Sequence, residues 1–221
     1  LFACDNGDFY PPCVSYNGSG KIWNYNDPRT LTSWNFISSA PHRAMSEYLG
    51  DYLENTDILQ CPKAPYKSEY LEKAWQQGDN WGNPDVPLVN DAIRGTYCYW
   101  WNYKGWLDEN RFFFGPRDSA AGGGQCGQST VLVSCYLGYG HSDEPYYYGS
   151  CEKMKGASTK EEDGVDSSWW KCHKDNGGLE SIDIKLHAGF ADGHVESYTP
   201  EETVPMKAIR TSCLSSELRG K

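Results

Sequence analysis

Cysteine offers this 221-residue chain the most chemistry: nine occur, at positions 4, 13, 61, 98, 126, 135, 151, 172 and 213. No two stand at C-x-x-C spacing, so neither a zinc knuckle nor a thioredoxin-type dithiol is supported. Spread singly along an acidic chain rich in Tyr and Trp, Cys4, Cys13, Cys61, Cys98, Cys126, Cys135, Cys151, Cys172 and Cys213 are disulfide candidates for an oxidising compartment. There, long-range bridges remove entropy from the unfolded chain. Eight paired cysteines allow on the order of 100 connectivities, and a ninth is left over. An exported protein is expected.

The other constellations are weaker. His173 follows Cys172 and could be drawn as thiol and base, but neighbours in sequence point apart and a disulfide would consume the sulfur. Asp192 and His194 flank Gly193 and could ligate a metal, yet Asp-Gly is first of all hairpin-turn chemistry. Asp163 with Asp166, or Asp183 with Asp192, could hold Ca²⁺ if folding joined them, but no EF-hand spacing supports it. Trp100, Trp101, Trp106, Trp169 and Trp170 could stack on a sugar, with core packing as the plainer alternative. Asp143 and Glu144 could serve a hydrolase, without a spacing to fix their geometry. The chain has no G-x-S-x-G elbow, no H-E-x-x-H helix and no G-x-x-x-x-G-K-[ST] phosphate loop.

Charge and length narrow the classes. Thirty acidic against 20 basic residues give a formal net charge of -10, which repels nucleic acid and anionic lipid. The length suits one sizeable domain spanning residues 1 to 221. Aromatics are 14% of residues, with 9 Trp and 16 Tyr, so buried area comes largely from rings. No apolar run reaches the roughly 18 to 20 residues of a membrane span. A start at Leu1 without Met points to processing or truncation, with any targeting segment, and a partner for the odd cysteine, upstream.

Which elements would position these residues? Met45, Tyr48, Leu49, Tyr52 and Leu53 follow the stripe of an amphipathic helix from Pro41 to Glu54. A second helix is expected over Ser68 to Gln77, ending at Gly78. Thr96 to Trp101, Arg111 to Phe114 and Thr130 to Cys135 read as strands. Tyr16 to Arg29 reads as loop, and Tyr136 to Asn176 as a long surface excursion pinned by Cys151 and Cys172. Ile182, Ile184 and Leu186 alternate with polar residues ahead of Phe190-Ala-Asp-Gly-His-Val195, which predicts a closing hairpin with a type I′ Asp192-Gly193 turn. Thr199-Pro-Glu-Glu202 has the pattern of a capping box opening a short helix, with Pro205 breaking it.

Phe2 to Pro12, Leu59 to Pro62, Gly95 to Tyr99 with Asn102, Ser129 to Ser134 and Phe190 to Val195, taken in this order along the chain, together resemble the type IV pilin-like and type II secretion pseudopilin family, whose members carry a prepilin-type N-terminal cleavage and methylation helix and are related to general secretion pathway protein G. Phe2-Ala-Cys-Asp-Asn-Gly-Asp-Phe-Tyr-Pro-Pro12 resembles the family's junction after that helix, with Gly7 and Asp8 in swapped order. Leu59-Gln-Cys-Pro62, Gly95-Thr-Tyr-Cys-Tyr99 with Asn102, and Ser129-Thr-Val-Leu-Val-Ser134 are similar to further blocks, and Phe190 to Val195 resembles the signature hairpin. The resemblance implies an α+β pilin-like fold: a remnant of the N-terminal helix and a further helix packed on an antiparallel sheet, with long loops and disulfide staples. It also implies a non-catalytic filament subunit of a secretion or pilus-like machine. Such a subunit is extracytoplasmic, is anchored in the inner membrane before assembly, and meets other pilin-like subunits through a helix upstream of Leu1. In this picture Asp192, Gly193 and His194 set the hairpin geometry. Major pseudopilins hold Ca²⁺ in a C-terminal loop, so the resemblance leaves Ca²⁺ open, without acidic ligands matched residue by residue here, and implies no other cofactor. The alternative is a secreted carbohydrate-binding module using exposed Trp and Tyr.

Overall fold

The computed structural model describes residues 1–15, 27–32, 44–65, 72, 75, 93–107, 112–118, 129–139, 145–161, 168–174, 181–207 and 214–218. In chain order these form α1 (Phe2–Asp5), β1 (Thr30–Thr32), α2 (Ser46–Leu49), β2 (Ile93–Arg94), β3 (Tyr97–Tyr99), β4 (Lys104–Trp106), β5 (Phe112–Phe114) and β6 (Val131–Cys135). There follow β7 (Leu137–Tyr139), β8 (Tyr146–Gly149), β9 (Ser158–Glu161), β10 (Ser168–His173), β11 (Leu186–Phe190), β12 (Val195–Tyr198), β13 (Thr203–Lys207) and β14 (Leu214–Leu218). The strands make a four-stranded sheet in the order β12-β11-β6-β3, an eight-stranded sheet in the order β5-β4-β13-β14-β7-β8-β10-β9, and the pair β1-β2. Every strand pairing among the described residues is antiparallel.

The α+β, pilin-like arrangement is therefore overturned: the protein is mostly β, and its described α-helices are two single turns. The stripe from Met45 to Leu53 is real as a burial pattern, since Met45 and Tyr48 are buried and Leu49 and Leu53 pack with them. It needs only one turn of helix to do so. Gly50 and Asp51 then weaken propagation, and the chain leaves through turns in which the Tyr52 and Leu53 amides donate to the Leu49 carbonyl. Residues 41–43, and almost all of the second expected helix, lie outside the described residues.

The expected strands at 96–101, 111–114 and 130–135 are present as β3, β5 and β6. The expected surface excursion after Tyr136 instead carries four strands, β7 to β10. Period 2 is hidden there because aromatic residues occupy both faces: in β10 Trp169 is buried while Trp170 is half-buried. Lys160 and Glu161 belong to β9, which lies at one end of the eight-stranded order. Charge on an edge strand discourages pairing with other chains.

After β12, Thr199 opens a turn of 3-10 helix over Pro200–Glu202, and its amide donates to the Glu202 carboxylate at 2.8 Å. The capping box thus serves a single turn, which runs directly into β13. Pro205 sits inside β13, where only Lys207 pairs with β4. Its missing N–H therefore breaks no rung on that side.

The main core gathers Trp100, Tyr103, Phe113, Val131, Tyr136, Leu137, Met154, Ile182, Ile184, Leu186 and Tyr198. A smaller cluster joins Val14, Leu31, Met45, Tyr48, Leu59 and Tyr99, with Phe2, Tyr97 and Val133 packed against it. Backbones touch closely at Gly115, where a Cβ would stand 1.6 Å from the Trp100 carbonyl oxygen.

Candidate functional site

The hairpin expected at Phe190 to Val195 forms with a different turn from the one expected. The Gly193 amide donates to the Phe190 carbonyl at 3.0 Å, and the Phe190 amide donates to the His194 carbonyl at 3.0 Å. Gly193 has φ +90, while Asp192 is not among the residues at positive φ. A type I′ turn needs positive φ at both central residues. The loop is instead Ala191-Asp192-Gly193, with Gly193 alone left-handed, as in a type I turn followed by a bulge glycine. The His194 amide donates to the Asp192 carboxylate at 3.2 Å and its ring Nδ1 bonds the same oxygen, so these bonds hold Asp192 below its usual pKa. The His194 ring stacks on Phe190 at 4.2 Å between centroids. The motif's residues thus fix one another on an exposed tip.

At the other end of the chain, α1 packs Phe2 edge-on against Tyr48 and Tyr52, and the Tyr52 hydroxyl donates to Asp5 at 2.9 Å. Gly7 (φ 64) and Asp8 (φ 69) then turn the backbone. Beyond the turn, the Tyr10 amide donates to the Arg117 carbonyl at 2.9 Å. The Asn102 side chain donates to the carbonyls of Tyr10 at 3.0 Å and Pro11 at 2.8 Å, from a backbone at φ 54.

Three sulfurs converge where β3, β6 and the segment after β8 meet. The Cys151 side chain hydrogen-bonds both Cys61 and Cys135. The Cys61 amide donates to the Thr96 hydroxyl at 2.7 Å, the Cys151 thiol lies 3.9 Å from the Thr96 carbonyl, and the Ser150 hydroxyl bonds that same carbonyl. Cys135 pairs across the sheet with Tyr97 and accepts from the His187 amide at 3.3 Å. Hydrogen bonding from Cys151 draws the Cys61 pKa down to about 6, against the opposing effect of burial, with help from the amides of Lys63 and Ala64 and the Tyr97 hydroxyl. Cys135 is lowered in the same way, while Cys151 is raised because it is the shared donor.

The disulfide staples are not formed among Cys4, Cys61, Cys98, Cys135 and Cys151, which are thiols in the structure. Cys4 is exposed on α1 and Cys98 is fully buried. Cys126 and Cys213 lie outside the described residues, as do Asp143, Glu144, Asp163 and Asp166. Cys172 and His173 do point apart: the thiol donates to the Lys155 carbonyl at 3.4 Å while His173 meets Tyr146 edge-on at 5.0 Å. Trp100 and Trp169 are 0% and 2% exposed, which removes both rings from any stacking platform. Among the described residues no three His, Cys, Asp or Glu side chains are arranged to hold a metal ion.

One buried group has no forewarning in the sequence. Asp27 and Arg29 are each 2% exposed and bonded through both carboxylate oxygens. The guanidinium lies 3.7 Å from the Tyr136 ring centre and 4.5 Å from that of Trp169. Burial pushes the Asp27 pKa up, but Arg29 and Arg94 outweigh it and hold the carboxyl below its usual value. Asp27-Pro28-Arg29 closes a Gly/Asn-rich stretch that reads as loop, and nothing local marks its burial.

No family model, curated protein or solved structure matches this chain. The reading of its function therefore rests on its own residues.

Proposed function

We propose that the chain is the non-catalytic head of a pilin-like assembly subunit, of the kind that serves type II secretion or a type IV pilus-like machine. The observation that carries this is a contact between two resemblance blocks far apart in sequence: Asn102 clamps the carbonyls of Tyr10 and Pro11, at separations of 92 and 91 residues. In the junction block, α1 passes through Asn6-Gly7-Asp8 into Phe9, Tyr10 and the prolines, and Asn102 belongs to the block that supplies β3.

Further support comes from the four-stranded sheet, because each of its strands belongs to one of these blocks or adjoins it. β3 lies in the Gly95-to-Asn102 block, β6 in the Ser129-to-Ser134 block, and β11 and β12 flank the hairpin. The Cys61 block joins through Thr96, whose hydroxyl donates to the Leu59 carbonyl at 3.3 Å. Blocks separated in the chain are neighbours in space, as parts of one inherited unit would be. The eight-stranded sheet is built from the residues between and beyond them.

In this proposal α1 is the last turn of a longer helix that anchors the precursor in the inner membrane and packs with other subunits. The head is carried outward on that helix. Its acidic surface keeps it from nucleic acid. The test is the coding sequence upstream of Leu1. A short basic leader, a peptidase junction and about 20 apolar residues running into Leu1 support the proposal. A plain signal peptide ending near Leu1 overturns it.

A further inference from the structure

We propose that Cys61, Cys151 and Cys135 form a thiol–disulfide exchange site, in which Cys61 attacks an incoming disulfide and Cys151 resolves the mixed disulfide into a Cys61–Cys151 bridge. Three distant cysteines, with no motif spacing, are brought together by one threonine, one tyrosine and one strand pairing. Thr96 holds the Cys61 amide through its hydroxyl and has Cys151 beside its carbonyl. Tyr97 bonds Cys61 with its side chain and pairs across the sheet with Cys135.

The three sulfurs are not equivalent. Cys61 is half-buried and reachable, whereas Cys135 and Cys151 are each 3% exposed. The Cys61 sulfur lies among donors: the amides of Lys63 and Ala64, the Tyr97 hydroxyl and the Cys151 thiol. Successive amides and a hydroxyl aimed at one sulfur stabilise a thiolate, the form that attacks disulfides. Lys63 adds positive charge nearby and is itself held by Glu152 at 3.0 Å. Cys151 touches both other sulfurs, so it is the one placed to close a bridge.

The electron count closes without a metal or cofactor. The Cys61 thiolate attacks one sulfur of a small-molecule disulfide, forms a new S–S bond and releases one thiolate. The thiolate released in that step takes the Cys151 proton, and Cys151 attacks the Cys61 sulfur, which expels the second half of the reagent as thiolate. Two protein thiols are oxidised and one external disulfide is reduced to two thiols. Cys135 stays outside the new bridge. It is the third thiol of an odd-numbered set.

The test uses the reduced, desalted chain and oxidised glutathione, with peptide mapping by mass spectrometry. The parent chain is expected to yield a Cys61–Cys151 bridge, and Cys151→Ser to stop with glutathione on Cys61. Exposed Cys4 serves as the reference thiol in the same sample. Alkylation of the parent chain with a small haloacetamide at pH 6 is expected to run about tenfold faster at Cys61 than at a thiol of ordinary pKa, allowing for the weaker nucleophilicity of a more acidic thiol. Stable glutathionylation of Cys61 in the parent chain, or Cys61 alkylated no faster than Cys4, overturns the proposal. Both readouts on the parent chain stand even if the variant fails to fold.

Discussion

At the scale of single residues, the Asp27–Arg29 pair commits the core most strongly. Each partner is buried, so removing one leaves an uncompensated charge among Tyr136 and Trp169. Asp27→Asn is expected to lower unfolding free energy by about 3 to 5 kcal/mol in denaturant titration. The pH dependence follows from the direction of the shift. The folded carboxyl titrates below its unfolded value, so its contribution is complete above the unfolded pKa and disappears as pH falls through the folded one. Acid unfolding of the parent chain is therefore expected to steepen below about pH 4, and Asp27→Asn to flatten that limb. The sequence offered no hint of this pair, because a short Asp-Pro-Arg inside a glycine-rich stretch has neither period nor motif. The same holds for the three sulfurs: their types were visible, but their convergence depends on β3 pairing with β6, a long-range event.

Among the elements, the hairpin was the most legible and still differed in its turn. The alternation from Ile182 to Leu186 holds as a burial pattern ahead of β11, which starts only at Leu186, and the Asp-Gly pair placed the reversal between β11 and β12. The loop type was decided by Asp192 accepting from His194, which leaves Gly193 alone at positive φ. Gly193→Val should therefore cost roughly 1 to 2 kcal/mol of stability, seen as a lowered thermal midpoint. Space is not the cause, since a Cβ there meets nothing within 4 Å. Gly115→Ala is the contrasting case, where φ is ordinary and backbone collision drives a larger loss. The apolar stripe at 45–53 marked burial correctly and helix length wrongly, because a single turn already seats Met45 and Tyr48. Strands β8 and β10 were illegible because rings on both faces erase the period-2 signal, and β9 because Ser158-Thr-Lys-Glu161 has no apolar residue to carry one.

For the molecule as a whole, an antiparallel β architecture replaces the expected α+β one. The four-stranded sheet gathers the resemblance blocks, and Asn102 ties it to the junction behind α1. Asn102→Gly keeps the backbone at positive φ while deleting the amide. It should therefore speed hydrogen exchange at the Tyr10 amide, which donates to Arg117, with little change at β6. Equal protection in both chains would mean that the junction is held by other contacts. Among the described residues no helix is long and apolar enough to cross a membrane. The most direct measurement of the assembly proposal is intact and N-terminal mass spectrometry of the mature protein extracted from its native membranes. The account predicts an N-methylated first residue heading an apolar helix that continues into Leu1. An unmethylated N-terminus at or near Leu1, left by ordinary signal-peptide cleavage, would contradict it.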